Sequence, residues 1–176
     1  MQTEKYAYMR VDLPAYRFSP ITDADGEEII DLFNYYIENS FAAYPEQKVP
    51  YGFFSLFLEA AKKYPSVVAH PDNGPLAGFG LLRPHNPMSA FRHSAEITYF
   101  IRPDMTGKGL GTAMLGHLEA AGKERGITTL LASISSLNEG SIRFHESHGF
   151  RHCGRFCNVG IKNGMVFDTV WMQKFL

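Results

Sequence analysis

Six residues, Thr106-Gly107-Lys108-Gly109-Leu110-Gly111, set three alternate glycines and a lysine between a strand-like run and a helix-like run. Upstream, Glu96-Ile97-Thr98-Tyr99-Phe100-Ile101 is aromatic and β-branched, and Arg102-Pro103-Asp104 ends it. Downstream, Leu110, Ala113, Met114, Leu118 and Ala121 repeat at helical spacing. A strand feeding a glycine loop that opens a helix points several backbone N–H groups into one small space. Glycines let an anion approach those donors, and the helix N-terminus adds partial positive charge. This is the chemistry of a phosphate cradle, and it implies a nucleotide-like cofactor. No P-loop string occurs, and the dinucleotide fingerprint also fails because Thr112 stands three residues beyond Gly109.

The elements around this loop follow from periodicity and turn chemistry. Residues 1–14 read as a loose arm before a short strand near Tyr16-Arg17-Phe18. Thr22-x-x-Asp25 resembles a capping box and opens a helix with Ile29, Leu32, Phe33, Tyr36 and Ile37 on one face. A loop over residues 41–50 and a helix from about Phe53 to Lys63 follow. Strands are expected at Val67–His70 and Ala77–Leu82, joined by the turn Pro71-Asp72-Asn73-Gly74 and therefore antiparallel. After the strand ending at Ile101 and the glycine-loop helix come a strand at Thr129–Ile134 and a short helix from Ser141 to His148, closed by Gly149. Phe150–Ile161 and Val166–Phe175 flank Lys162-Asn163-Gly164-Met165, whose Asn-Gly is a strong hairpin signal. The order β-α-α-β-β-β-α-β-α-β-β implies a mixed sheet with helices on its faces and a parallel core at the glycine-loop crossover.

The chain has 176 residues, the size of one domain, with 45% hydrophobic and 20% charged residues, a soluble globular composition. No stretch approaches the ~18 unbroken apolar residues of a membrane span. The first residues lack the layout of a signal peptide. A formal net charge of −1 without a basic cluster gives no case for nucleic acid or anionic membrane. Cys153 and Cys157 are the two cysteines. Four residues apart on one strand they would lie roughly 13 Å from each other, too far to bridge. Reduced thiols, a cytoplasmic location and no metal site are the expectation.

The glycine loop resembles the Q/R-x-x-G-x-G/A pyrophosphate loop of the GNAT acetyltransferases, with Thr106 where that family usually has Gln or Arg. Asn138 follows the next strand, and seven residues later His145 begins His145-Glu146-Ser147-His148-Gly149-Phe150. Family members usually have Tyr at the place of His145. This segment, Asn34–Ser40 and Val159–Gly164 make the chain similar to the phosphinothricin and methionine sulfoximine N-acetyltransferase branch, over residues 16–175. The resemblance implies a GNAT fold, a mixed, mostly antiparallel twisted sheet flanked by helices, over a single domain of residues 1–176. It implies an enzyme that passes the acetyl group of acetyl-CoA to the amine of a small molecule, by direct attack on the thioester and without a metal. A homodimer paired through the C-terminal hairpin is also implied, with Val166, Phe167 and Val170 as apolar positions available to it or, equally, to core packing.

Residue by residue, the resemblance makes Glu96 the base that takes the amine's proton, directly or through water. The structural alternative is an ion pair with Arg92 or Arg102. Backbone donors near Phe100 and Ile101 would stabilise negative charge on the carbonyl oxygen. His145 would protonate the leaving thiolate, or else merely hydrogen-bond to backbone. Cofactor contacts are expected from Phe100, Ile101, Thr106, Gly107, Lys108, Gly109, Leu110, Gly111, Thr112, Asn138 and Ser141. Asn138 would meet the pantetheine amides and Lys108 the pyrophosphate. Phe41, Tyr44 and Phe91 would wall the acceptor pocket. Met88 and Phe91 stand where the branch has Arg and Tyr, so the usual carboxylate clamp is missing and Arg83 or Arg92 would have to replace it. A closed aromatic pocket favours a small amine, an open groove favours a peptide or protein amine, and a catalytically silent acyl-CoA-binding module is the third reading.

Overall fold

A computed structural model describes residues 15–72 and 74–176. The expected loose arm lies outside the described residues, as does position 73 of the turn expected at Pro71–Gly74. The elements run β1 (Tyr16–Ser19), α1 (Gly26–Asn39), α2 (Phe54–Lys63), β2 (Ser66–Pro71), β3 (Gly78–Pro84), β4 (Ser94–Ile101), α3 (Leu110–Glu124), β5 (Thr129–Ser135), α4 (Glu139–Ser147), β6 (Arg151–Lys162) and β7 (Met165–Phe175). That is the expected order. Capping and turn chemistry set the boundaries. The Asp25 carboxylate accepts from the Thr22 N–H at 2.7 Å and from its hydroxyl at 2.8 Å, and α1 begins one residue later. Asn163 and Gly164 both take positive φ, 51° and 75°, which gives the β6–β7 hairpin the twist its strands need.

The strands form one sheet in the order β1-β2-β3-β4-β5-β7-β6. Every neighbouring pair is antiparallel except β4 with β5, which the α3 crossover makes parallel. Each sheet face carries its own core. On one face α3 packs Leu110, Met114, Leu115 and Leu118 against Leu82, Ile97, Leu130 and Met172, with Phe144 of α4 beside them. On the other, Ile29, Phe33 and Ile37 of α1 and Phe54 of α2 cover Phe79, Leu81 and Phe100. Gly80 lets α3 approach: a Cβ there would stand 2.8 Å from the Tyr99 Cβ and 3.3 Å from Leu118.

The apolar positions of the C-terminal hairpin divide between core packing and exposure. Phe167 and Val170 are buried, each on an inner face of the sheet, so of the three apolar positions assigned to pairing only Val166 is exposed. Further exposed apolar side chains are Met165 and Phe175 on β7 and Phe156, Val159 and Ile161 on the edge strand β6. Cys153 and Cys157 are unpaired and exposed, as their spacing requires.

Candidate active site

The parallel ladder of β4 and β5 is short. It joins Ser94 to Thr129, Ala95 to Leu130 and Glu96 to Leu131, and then stops. β4 continues beside β3 as far as Ile101, while β5 follows β7 to Ser135. The strands part beyond Glu96 and leave a V-shaped opening through the sheet. A groove of ≈ 520 Å³ runs along it, bordered by Tyr99, Ile101, Gly107, Gly111, Asn138 and Phe144. A smaller cavity of ≈ 90 Å³ lies between Tyr44, Thr98, Ser133 and His145. The two share Ala42, Tyr99, Phe100, Asn138 and Ser141, so the groove connects the faces of the sheet.

At the outer end stands the glycine loop. Gly107 and Gly109 adopt φ of 71° and 82°, a region that suits glycine. Gly109 is the N-cap of α3 and supplies no side chain to its first N–H groups, which stay available to a ligand. A Cβ on Gly111 would stand 3.1 Å from the Phe144 ring and 3.3 Å from Ile101, so glycine keeps this side of the groove open. The expected contacts divide here. Thr106, Gly107, Gly109, Gly111 and Thr112 border the groove, whereas the Leu110 side chain is buried in the α3 core and leaves only its N–H. Lys108 is exposed and does not line the groove.

Deeper in, Asn138 caps α4. Its Oδ1 accepts from the Ser141 N–H at 3.2 Å, which spends the acceptor and leaves the amide donor for the groove. His145 lies behind, 4% exposed, with Nδ1 2.7 Å from the Ser141 carbonyl oxygen and Nε2 2.7 Å from the Tyr99 hydroxyl. A carbonyl only accepts, so Nδ1 carries the hydrogen, and Tyr99 donates to Nε2. Burial holds the imidazole below its ordinary pKa and pushes the Tyr99 phenol well above the usual tyrosine range. Both ring nitrogens of His145 are thus engaged, and the group it presents to the groove is Tyr99, which motif reading passed over. Strand alternation also corrects Phe100. Because the Arg102 N–H donates to Ala77 across the β3 ladder, the Phe100 N–H faces β3 as well. Tyr99 and Ile101 turn theirs to the opening, where the Ile101 carbonyl accepts from the Tyr36 hydroxyl. Burial raises the pKa of Tyr36.

Glu96 sits where the strands part, on the α1–α2 face. Its partners are neither Arg92, which donates to the Ser89 carbonyl, nor Arg102, which pairs with Asp104. Oε2 accepts from Arg83 at 2.5 Å, and Oε1 lies 3.0 Å from Nδ1 of His85. Arg83 faces Glu96 in the β3–β4 register. The His85 ring meets Trp171 edge-on at 5.8 Å and Phe91 at 6.2 Å. Phe41 and Tyr44 gather at Phe167, with centroids 6.0 and 5.6 Å away, and the Tyr44 hydroxyl donates to the Ser133 carbonyl at 3.3 Å. Burial raises the Tyr44 pKa above the usual tyrosine value. The expected aromatic trio is therefore split, Phe41 and Tyr44 on one wall and Phe91 beyond His85. Tyr44 and Phe91 remain 44% and 42% exposed, so these walls bound an open cleft.

One buried lysine holds the first wall. Lys162 is 1% exposed, and its ammonium donates to the carbonyls of Ile37, Ser40 and Ala43 at 2.6, 2.7 and 2.7 Å. It caps the C-terminal end of α1, where a cation is favoured, and pins residues 40–44 to the hairpin. Burial draws its pKa down. Asn163 adds a bond from its N–H to Glu46 at 2.8 Å.

Residues 29–150 match the model of the acetyltransferase (GNAT) family, and the chain belongs to that family. It is 26% identical to a phosphinothricin N-acetyltransferase of Streptomyces coelicolor, over 88% of this chain and 93% of the relative. It is 30% identical to an L-methionine sulfoximine/L-methionine sulfone acetyltransferase of Pseudomonas aeruginosa, over 85% and 88%. Among solved structures, the phosphinothricin acetyltransferase of Sinorhizobium meliloti in complex with AcCoA is 27% identical with a TM-score of 0.86, over 92% of this chain and 88% of that one. A ribosomal-protein-alanine N-acetyltransferase of Brucella melitensis is 31% identical with a TM-score of 0.84, over 91% and 99%.

Proposed function

We propose that this acetyltransferase uses acetyl-CoA to acetylate the amine of a small amino acid or amino-acid analogue of the phosphinothricin or methionine sulfoximine kind. The observation that carries this reading is the continuous opening from the glycine cradle, past Tyr99, to Tyr44 and Ile97, with Glu96 the next residue of β4. The cradle fits the cosubstrate: glycine conformations and unfilled helix N–H groups suit a pyrophosphate, and the Asn138 amide and the β4 edge suit a pantetheine arm. When bound, acetyl-CoA supplies an acetyl thioester that the amine can attack.

The protein's own groups then have three tasks. The N–H groups of Tyr99 and Ile101 face the opening and stabilise negative charge on the carbonyl oxygen. The Tyr99 side chain lines the groove with its hydroxyl held by His145, so His145 would act on a bound thioester through Tyr99. Glu96 and His85, with Arg83 beside them, receive the proton that the amine must lose, since an ammonium has no lone pair with which to attack. Arg83, with only one of its N–H groups on Glu96, replaces the missing arginine as a clamp for the substrate carboxylate. The likeness to relatives named for amino-acid analogues supports the substrate class.

The open cleft favours a second reading, a peptide or protein amine, and a neighbour titled for a ribosomal-protein alanine is in keeping with it. A cytoplasmic location and a homodimer complete the proposal, the second copy adding to the exposed β6 edge at Phe156, Val159 and Ile161. The deciding experiment is thiol release from acetyl-CoA across amino acids, phosphinothricin, methionine sulfoximine and short peptides, with Glu96→Gln alongside. Turnover on a free amino acid or analogue, reduced by roughly 10²–10⁴-fold in Glu96→Gln with CoA binding kept, is expected. Turnover on peptides alone transfers the assignment to the second reading, and CoA binding without any turnover overturns both. Sedimentation of the same preparation as a monomer removes the dimer.

A further inference from the structure

The cluster of Glu96, Arg83 and His85, beside Ile97 where the smaller cavity ends, contains two groups able to take a proton, and their surroundings differ. Glu96 has both oxygens occupied, Oε2 by the Arg83 guanidinium at 2.5 Å and Oε1 by His85 at 3.0 Å, and its side chain is 11% exposed. His85 is anchored on one side only. Its Nδ1 faces the carboxylate, its ring is wedged between Trp171 and Phe91, and its side chain is 33% exposed. Among the described residues the ring makes no polar contact through Nε2. A carboxylate is an acceptor, so the hydrogen of a neutral His85 sits on Nδ1 and the bare lone pair on Nε2. The charged and titratable groups around this pair are Glu96 on β4, Arg83 on β3 and Tyr44 across the cleft.

We propose that His85 is the proton acceptor of the reaction and that Glu96 is its positioning residue. Resting on the acetyltransferase reading above, this reverses the roles expected from the motif, where Glu96 itself is the base. One N–H bond of the substrate ammonium breaks, its electron pair stays on nitrogen for the attack, and the proton bonds to Nε2, directly or through one water. Glu96 keeps the Nδ1–H bond, fixes the tautomer and balances the imidazolium charge. The proton then leaves Nε2 for solvent through the exposed edge of the ring, and His85 is restored. An imidazole suits the task because one ring nitrogen can donate to the carboxylate while the other accepts the proton. Arg83 holds the carboxylate in register throughout.

Three variants test this with the amine panel above. His85→Asn keeps an amide donor toward Glu96 but cannot take a proton, and His85→Ala removes both. The expectation is a loss of roughly 10²-fold or more in kcat/KM for each, with CoA affinity unchanged. Added imidazole should restore turnover in His85→Ala in proportion to its free-base concentration, and the acidic limb of the wild-type kcat/KM profile should vanish in His85→Asn. Glu96→Asp, which shortens the support, should lower kcat while retaining that limb. Turnover in His85→Asn within about threefold of wild type, or an unchanged acidic limb, assigns the ring a structural role and overturns the proposal. Long-range ¹⁵N spectra of the free protein give a readout without substrate: the Nδ1–H tautomer is expected at His85, and the Nε2–H tautomer overturns the proposal. A wild-type chain inactive on every amine overturns the functional reading instead, a result distinct from activity that survives the loss of His85.

Discussion

The two ends of the opening in the sheet are built from different material. The donor end is made largely of backbone: glycine φ angles, the first N–H groups of α3 and the strand N–H groups of Tyr99 and Ile101. The acceptor end is made of side chains drawn from β3, β4, β7 and the loop after α1, held by ion pairs, ring contacts and one buried lysine. Backbone geometry can serve a ligand of fixed shape while side chains drift. A side-chain wall can change its specificity residue by residue without disturbing the sheet. The division suits a protein with one donor and an acceptor that differs among relatives.

Substitutions at each end should separate these properties. The largest effect belongs to Lys162→Met, which leaves three carbonyls without their shared donor. With partial access of water, the expected loss is about 3 kcal/mol of stability, read from urea midpoints. The KM for the amine should rise while CoA affinity stays, because the wall at Phe41 and Tyr44 loosens and the cradle does not. A parallel fall in CoA affinity would show that the two ends are not independent. Next is Gly111→Val, whose side chain meets Phe144 and Ile101 and narrows the groove. CoA affinity should fall roughly 10–100-fold by calorimetry, equivalent to the loss of one or two charge-assisted contacts. The environment of His85, followed by its ¹⁵N shifts, should remain as in the wild type.

The smallest effect concerns pH. Burial holds His145 below its ordinary value in the folded chain, so as pH falls through about 6.5 the unfolded chain binds a proton that the folded chain refuses. Stability is complete above that pH and declines as the folded value is approached. His145→Gln should flatten this decline between about pH 7.5 and 5.5 in urea titrations. An unchanged slope would place the acid sensitivity elsewhere.

The same division governs what could be read from the chain. The cradle, the Asn-Gly hairpin and the element order come from contiguous residues whose local chemistry is self-sufficient, and they stand in the structure where the sequence puts them. The acceptor cluster depends on register. Arg83 meets Glu96 only because β3 and β4 pair as they do, and nothing within either strand states the offset. Parity misled the reading of Phe100: whether its N–H faces β3 or the opening is decided by the partner strand. Lys162 stands in the sequence only as one residue of a hairpin turn, and its burial becomes visible once the end of α1 lies above it. His145 was legible as a position, but its tautomer and its link to Tyr99 needed a second strand to define them.

The Lys162 clamp also imposes an order on biosynthesis. The loop it secures is made early, and Ala43 precedes its holder by 119 residues. A chain leaving the ribosome can complete the strand, glycine turn and α3 of the donor end while the acceptor wall still has nothing to fasten it. Only when the last hairpin has emerged is residue 162 there to gather the three carbonyls. Any chain cut short before that point would lack the holder of the acceptor wall, and with it Val170 and Met172 of the core beneath α3.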